Sequence, residues 1–177
     1  VLTSRLRPAL EKLNPGVPAE ALKLAIEDLT RDRSTMSLVA ANKEVYKILK
    51  DGFMSQIQSC EGEAEDYTIR FIDWNEAKNN DFFLASQFWV TGEMYTRRTD
   101  LLGFVNGIPL VFIELKAAHK DLKNAYDDNL KDYKDTIPQL FWYNSFIILS
   151  NGRQSRVGSI TSWWEHFAEW KKINDEG

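Results

Sequence analysis

Residues 97–116 read RRTDLLGFVNGIPLVFIELK, two apolar runs joined by Asn106-Gly107, and this stretch is the most informative in the chain. An Asn-Gly pair between two apolar runs is a strong short-range signal for a β-hairpin. The first run begins with a carboxylate, Asp100, and the second ends with Glu114 and Lys116. Charged side chains at the border of an apolar core are costly unless they are paired or bind a metal. The hairpin is therefore also the first place to look for a functional site.

The register of this hairpin decides whether the charged residues meet. Alternation along the second strand puts Phe112, Glu114 and Lys116 on one face. A two-residue turn at Asn106-Gly107 pairs odd-numbered with even-numbered residues, which sends Asp100 and Glu114 to opposite faces. An odd-length loop or a β-bulge brings both carboxylates to the same face. A shared site therefore predicts an odd-length loop or a bulge.

If the three side chains converge, their chemistry is that of a metal-assisted hydrolase. Carboxylates such as Asp100 and Glu114 bind a hard divalent cation such as Mg²⁺ through oxygen, and the backbone carbonyl of Leu115 would add a ligand. Such a cation polarises a phosphodiester and lowers the pKa of a bound water. Lys116 would orient that water or stabilise the developing negative charge. The alternative that stays open is a strand-end ion pair of Lys116 with either carboxylate.

Composition excludes several other classes of protein. A chain of 177 residues, 44% of them hydrophobic, indicates a single globular domain over residues 1–177. The net charge of -4 argues against a broadly basic nucleic-acid coat, though not against a local basic groove. The single cysteine, Cys60, cannot form an intramolecular disulfide and indicates a reducing, cytoplasmic compartment. One cysteine and two histidines are too few for a zinc site. No membrane span or signal peptide is predicted.

The periodicity of apolar residues predicts an α/β (α+β) fold with a mixed central sheet flanked by helices. Residues 1–17 are expected to be an entry segment that ends at the turn Asn14-Pro15-Gly16. Helices are predicted from about Pro18, over 38–50 with Gly52 as C-cap, over 121–133, and over 161–173 with Trp163, Trp164, Phe167 and Trp170 inward. Strands are predicted over 67–72, 82–90, the two arms of the hairpin, 146–149 and 153–157.

The hairpin resembles the PD-(D/E)xK nuclease motif, and specifically the N-terminal nuclease domain of type I restriction enzyme R subunits (HsdR). The likeness covers nearly the whole chain. It is carried by Arg98-Thr99-Asp100-Leu101, Phe104 to Leu110, Ile113-Glu114-Leu115-Lys116, Asn14-Pro15, Phe83 to Gly92 with Gln87 inside, Ser150-Asn151-Gly152, Arg156-Val157-Gly158, and Phe167 with Trp170-Lys171. The chain departs from the family pattern in having threonine where many members have the proline of Arg-Pro-Asp.

The resemblance implies a restriction-endonuclease-like fold and Mg²⁺-dependent hydrolysis of double-stranded DNA, with Asp100, Glu114 and Lys116 as the metal and catalytic residues. It also implies helicase (translocase) domains in the same polypeptide, and modification and specificity subunits as partners. No Gly-x4-Gly-Lys-[Ser/Thr] motif occurs, so ATP is expected to serve only a longer subunit of which this chain is a fragment. The alternatives are a stand-alone repair or defence nuclease, and a non-catalytic module that docks to DNA or a partner.

Several residues are candidates for supporting roles. Family members carry a Gln-x-x-x-Tyr element, and its nearest match here is Asn129 with Tyr133, which a spacing of four puts on one helical face. The alternative is that Tyr133 is a core residue and Asn129 is merely exposed. The other candidates are Gln87 as a supporting residue, Glu20 or Glu27 as a third carboxylate, and Arg97, Arg98, Arg153 and Arg156 as phosphate contacts.

Overall fold

A computed structural model describes residues 1–58 and 64–171 of the chain. Cys60 and the predicted end of the last helix at Ile173 lie outside the described residues. The chain divides into two compact units: Val1–Phe83 with Phe104–Pro109, and Leu84–Gly103 with Leu110–Gly177. All three residues of the predicted active site belong to the second unit, whereas Glu20 belongs to the first.

Three helices begin the chain: α1 (Thr3–Leu13), α2 (Ala19–Thr30) and α3 (Leu38–Asp51). The predictions of α2 and α3 are confirmed, and Gly52, with a φ of 86°, is the C-cap of α3 as expected. The entry segment ends at the predicted turn Asn14-Pro15-Gly16, but the sequence did not predict that α1 would fill it. A proline inside a helix costs about 3 kcal/mol, but α1 buries Leu6 and Leu10, each worth roughly 1.5–3 kcal/mol, together with the smaller Ala9.

A two-stranded antiparallel sheet follows the helices. β1 (Phe53–Gln58) pairs with β2 (Ala64–Ile69), and Phe53 lies opposite Ile69 at one end of the ladder. The sequence predicted neither β1 nor the early start of β2. The predicted strand 67–72 is too long at its end, because Phe71 and Ile72 lie beyond the last pair and are buried as core residues outside the ladder.

A six-stranded mixed sheet contains the hairpin, and its strands occur in the order in which they follow one another in the sequence. β5 and β6 are parallel, whereas β6–β7 and β7–β8 are antiparallel. This architecture confirms the predicted mixed α+β class and is consistent with a restriction-endonuclease-like fold. The strands are β3 (Phe82–Thr91), β4 (Thr96–Val105), β5 (Ile108–Leu115), β6 (Phe146–Ser150), β7 (Ser155–Gly158) and β8 (Ala168–Glu169).

The helix predicted over 121–133 is present in altered form. A π-helical segment, Ala125–Leu130, runs directly into α4 (Lys131–Thr136). Tyr126 and Tyr133 are buried, as the predicted apolar face requires. π-helical turns are rare and occur frequently at functional sites.

The helix predicted over 161–173 is wrong in the part that the structure describes. Residues Trp164–His166 form a single 3₁₀ turn, and β8 follows and pairs with β7. Phe167 is buried as predicted, but Trp163 and Trp170 are exposed. Side chains three residues apart eclipse one another in a 3₁₀ turn. The rings of Trp164 and Phe167 therefore stack, with centroids 6.5 Å apart, although no α-helix brings them together. No helix in the described part of the chain is both long and apolar enough to cross a membrane.

Candidate active site

The turn between β4 and β5 has two residues, so the first of the two predicted arrangements, an odd-length loop, is absent. Asn106 and Gly107 have φ values of 51° and 78°. Positive φ at both central residues is the signature of the type I′ turn that Asn-Gly favours. Of the two arrangements that would bring the carboxylates to one face, only a bulge is compatible with this turn.

The registers of β4 and β5 are offset by one residue relative to an uninterrupted ladder. Such a ladder would place Gly103 opposite an even-numbered residue. Instead, a Cβ at Gly103 would lie 3.1 Å from the Cβ of Val111. Leu102 and Phe112, which are the next residues away from the turn on the two strands, are both buried. The even-numbered residues of both strands therefore share a face, which is the effect of a bulge.

Asp100 and Glu114 lie together on that face. Glu114 is only 2% exposed, and Asp100 Oδ2 accepts a hydrogen bond of 2.8 Å from the backbone N–H of Leu115. Burial, and then the nearby charge of Asp100, raise the pKa of Glu114 to about 8, while Lys116 opposes this shift. Among the described residues Glu114 Oε2 has no hydrogen-bond partner, although it is buried. The site thus contains a desolvated carboxyl group with a free oxygen.

Lys116 completes the group. Its Nζ lies 3.9 Å from Glu114 Oε1 and donates a hydrogen bond to the side-chain oxygen of Asn129. Its backbone N–H donates to the carbonyl of Ser150 at 2.8 Å. The ammonium group is therefore held from two elements, the end of β5 and the π-helical segment.

Tyr133 is buried, in agreement with the alternative prediction that it is a core residue. Its hydroxyl donates to the carbonyl of Arg98 at 3.1 Å. Burial and the charge of Glu114 raise the pKa of Tyr133, and a hydrogen bond from Asn129 opposes this change. The structure thus brings Asn129 and Tyr133 to the same cluster as the three charged residues, with Tyr133 in the core and Asn129 on the lysine.

Gln87 has a backbone conformation that its sequence did not signal. Its φ is 52° in the middle of β3, a left-handed value that is uncommon for residues other than glycine. Its side-chain amide donates a long hydrogen bond of 3.4 Å to Asp100 Oδ1. Each oxygen of the Asp100 carboxylate therefore accepts one hydrogen bond, from Gln87 on one side and from Leu115 on the other.

The two arginines nearest Asp100 differ in what they contact. Arg97 forms a bidentate ion pair with Asp132, with nitrogen–oxygen distances of 2.7 and 3.0 Å. Arg98 is exposed, and its guanidinium lies 5.6 Å from the centre of the Trp89 ring. Of this pair, the charge of Arg97 is already balanced by a carboxylate.

The remaining candidates contribute less to this site. Arg156 stacks on Trp164 at 4.5 Å, and Arg153 is exposed at a turn. Glu20 is exposed in the first turn of α2 and stays a prediction. Within residues 1–58 and 64–171, no group of three or more His, Cys, Asp or Glu side chains is placed to hold a metal ion. The candidate metal ligands are therefore two carboxylates and a backbone carbonyl.

Comparison with known proteins gives a consistent result. The family model described as the N terminus of the type I restriction enzyme R protein matches residues 1–166. The chain is 33% identical to the type I restriction enzyme HindI endonuclease subunit of Haemophilus influenzae, with 99% of this chain and 17% of that protein aligned. It is 30% identical, with the same coverage of both chains, to the putative type I restriction enzyme MjaIXP endonuclease subunit of Methanocaldococcus jannaschii. The chain thus spans about 17% of the length of these two relatives.

Proposed function

Because the chain belongs to the family of type I restriction enzyme R protein N termini, we propose that it is the DNA-cleaving domain of such a subunit. In this proposal it hydrolyses phosphodiesters of double-stranded DNA with Mg²⁺. Helicase domains of the same polypeptide would deliver the DNA by ATP-driven translocation, with modification and specificity subunits as partners. The relatives are named endonuclease subunits, and the observation that carries the proposal is the buried, incompletely bonded carboxyl group of Glu114.

The environment of Glu114 is costly for a purely structural residue. A buried polar atom without a hydrogen bond costs on the order of 1–3 kcal/mol. With a pKa of about 8, the carboxyl group retains a proton at neutral pH in the metal-free chain. Carboxyl groups with strongly shifted pKa values beside a second carboxylate are concentrated at functional sites. A divalent cation between Asp100 and Glu114 would supply the charge that both groups need.

The available oxygen ligands fit a hard divalent cation such as Mg²⁺. Mg²⁺ is usually held by one or two carboxylates together with water and substrate phosphates, rather than by a cage of protein ligands. Asp100 and Glu114 provide two carboxylates, and the Leu115 carbonyl is a candidate third oxygen. When bound there, Mg²⁺ would polarise the scissile phosphodiester and lower the pKa of a water ligand. The two carboxylates are the residues that would hold it.

Lys116 is proposed to act on the attacking water and on the negative charge that develops at the phosphate. Its Nζ is near Glu114 Oε1 and is held by the side-chain oxygen of Asn129, so the ammonium group is oriented before substrate arrives. A preorganised positive charge stabilises the transition state without a reorganisation cost during the reaction. Asn129 would thus replace the glutamine of related sequences, since its shorter side chain still reaches the lysine.

The proposal is tested with the full-length R subunit assembled with its partner subunits. Plasmid cleavage with Mg²⁺ and ATP is compared for the wild type, Asp100→Ala and Lys116→Ala. We expect both variants to lose cleavage by about 10³-fold or more, because each removes a group that acts only at the phosphate. DNA-stimulated ATP hydrolysis should stay within about twofold of wild type, because the chain carries no Walker motif.

Asp128→Ala is a matched control, since Asp128 is an exposed carboxylate next to Asn129 and should be dispensable. Wild-type cleavage in both site variants would show that the cluster is structural and would favour a non-catalytic docking module. ATP-independent cleavage would instead favour a stand-alone nuclease.

A further inference from the structure

Arg98 presents a positive charge on the same face of β4 as Asp100. Thr99, which lies between them, is fully buried, so alternation directs Arg98 and Asp100 to the opposite side of the strand. Residues two apart on a strand are separated by about 7 Å. The backbone of Arg98 is fixed by the Tyr133 hydroxyl, which donates to its carbonyl at 3.1 Å. The position of this cation relative to the carboxylate is therefore set by the sheet and by the site.

The charge of Arg98 is not balanced by a carboxylate. No salt bridge to Arg98 occurs among the residues that the structure describes, whereas the neighbouring Arg97 is held by both oxygens of Asp132. Adjacent arginines thus have different environments, although they have the same formal charge. In a chain with a net charge of -4, an arginine that shares a strand face with Asp100 but forms no ion pair is not explained by general surface charge.

Trp89 supports the guanidinium of Arg98. The distance from the guanidinium carbon to the ring centre is 5.6 Å, within the range of a cation–π interaction. The Trp89 side chain is 63% exposed, so it does not serve the core. An arginine whose flat face rests on an aromatic ring still has N–H groups at its edge, and these match the oxygens of a phosphate. Trp89 therefore orders the side chain without consuming its hydrogen-bond donors.

We propose that Arg98, held on Trp89, binds the DNA phosphate next to the scissile one and thereby places the strand over Asp100 and Glu114. The ligand class is a nucleic-acid phosphodiester, contacted through its backbone and not through its bases. This inference rests on the proposed nuclease function. It assigns to Arg98 a role that Arg97 does not share.

The test measures plasmid cleavage by the full-length assembled enzyme as a function of salt concentration. The variants are Arg98→Gln, Arg98→Lys, Trp89→Leu and Arg153→Gln, and Asp100→Ala is measured in parallel. We expect Arg98→Gln to lower cleavage roughly tenfold at moderate salt, with a salt dependence weaker by about one ion, because one phosphate contact is lost. Arg98→Lys should recover only part of the rate, because lysine restores the charge but not the planar set of donors, and Trp89→Leu should lower the wild-type rate about threefold.

Arg153→Gln is the matched control, because it removes the same charge from an exposed turn and should change cleavage less than about twofold. DNA-stimulated ATP hydrolysis at the wild-type rate shows that the assembled enzyme still engages DNA in each variant. A wild-type rate and salt dependence in Arg98→Gln would overturn the inference, as would an equal loss in Arg153→Gln or no recovery in Arg98→Lys. If Asp100→Ala still cleaves, the proposed function itself fails. If Asp100→Ala is inactive and Arg98→Gln is normal, only the phosphate contact is wrong.

Discussion

Asn106 and Glu114 are two buried polar side chains of one hairpin. The side-chain oxygen and nitrogen of Asn106 both form hydrogen bonds, whereas one carboxyl oxygen of Glu114 forms none to the described residues. Asn106 is fully buried, and its amide donates to the carbonyl of Phe71 and to the side chain of Asn80, both at 2.8 Å. Its side-chain oxygen accepts from the N–H of Asp81 at 2.7 Å. Glu114 is equally buried, yet one of its oxygens has no partner among the described residues.

The difference separates a polar group that stabilises the fold from one that the proposed function requires. A fully bonded buried network rigidifies a structure and favours one conformation. An incompletely bonded buried carboxyl group does the reverse, and such groups with shifted pKa values are concentrated at functional sites. Substitutions at the two positions should therefore have opposite effects on stability and on cleavage.

The largest effect is expected for Glu114→Gln. Cleavage by the assembled enzyme should fall by about 10³-fold or more, because a neutral amide is a poor ligand for Mg²⁺. The metal-free chain should nevertheless become more stable at neutral pH. At pH 7 the unfolded wild-type chain has lost the proton that folded Glu114 retains, which costs the folded state on the order of 3 kcal/mol. Urea unfolding of the 177-residue chain measures this gain.

The raised pKa of Glu114 also determines how the stability of the chain depends on pH. The folded pKa of Glu114, about 8, lies above its ordinary value of 4.5, so wild-type stability should fall as the pH rises between these values and level off above pH 8. Glu114→Gln should lack this decline, and the two chains should be equally stable near pH 4.5. Mg²⁺ should stabilise only the wild type. Parallel pH profiles for the two chains would contradict the assignment of the buried proton to Glu114.

Asn106→Ala should have the second-largest effect, and it should appear as a loss of stability. The substitution removes three hydrogen bonds, a buried one to the carbonyl of Phe71 and two partly buried ones to Asn80 and Asp81, and it places alanine at a φ of 51°. Together these costs amount to roughly 3–5 kcal/mol. Chemical denaturation would measure the loss.

Asn106→Gly separates the two causes, because glycine adopts positive φ freely but restores no hydrogen bond. We expect it to recover only about 1 kcal/mol of the loss. Full recovery would mean that the conformation of the turn, and not the buried network, gives Asn106 its importance. The contrast with Glu114, where loss of an ionisable group should stabilise the chain, would then be weaker.

The elements predicted from the sequence are those whose signals are local. The α3 helix is defined by its apolar period and by Gly52, and the hairpin by Asn106-Gly107. The helix α1 was missed because Pro8 obscures the stripe formed by Leu6, Ala9 and Leu10, and tertiary burial outweighs the loss of one backbone donor. The last helix was wrong because a spacing of three fits a 3₁₀ turn as well as an α-helix.

The residue types of the candidate site were also readable, but their geometry was not. Asp100, Glu114 and Lys116 follow from the charge pattern at the strand ends. Their convergence depends on a one-residue offset between β4 and β5, which the ordinary Asn-Gly turn does not reveal. Pro109 beside the turn is the one hint of it, since proline lacks a ladder donor and occurs in strands mainly at edges and bulges. The burial of Glu114 and the pairing of Arg97 likewise come from residues distant in sequence.

The smallest effects are expected at Gln87, where strain and function are combined in one residue. A left-handed φ at a residue other than glycine costs about 1 kcal/mol or more, and the amide of Gln87 is directed at Asp100. Gln87→Gly removes both the strain and the amide, whereas Gln87→Ala removes the amide and keeps the strain.

Both Gln87 variants should need about threefold more Mg²⁺ for half-maximal cleavage and should reach nearly the wild-type rate at saturation, because Asp100 loses one of two hydrogen bonds that orient it. Their stabilities should differ, since glycine tolerates the backbone conformation and alanine does not, which makes Gln87→Gly the more stable by up to about 1 kcal/mol. Equal Mg²⁺ requirements in all three chains would show that the strained conformation is a consequence of the strand irregularity alone. A raised requirement in both variants would place Gln87 with Glu114, as a residue whose cost to the fold is retained for the site.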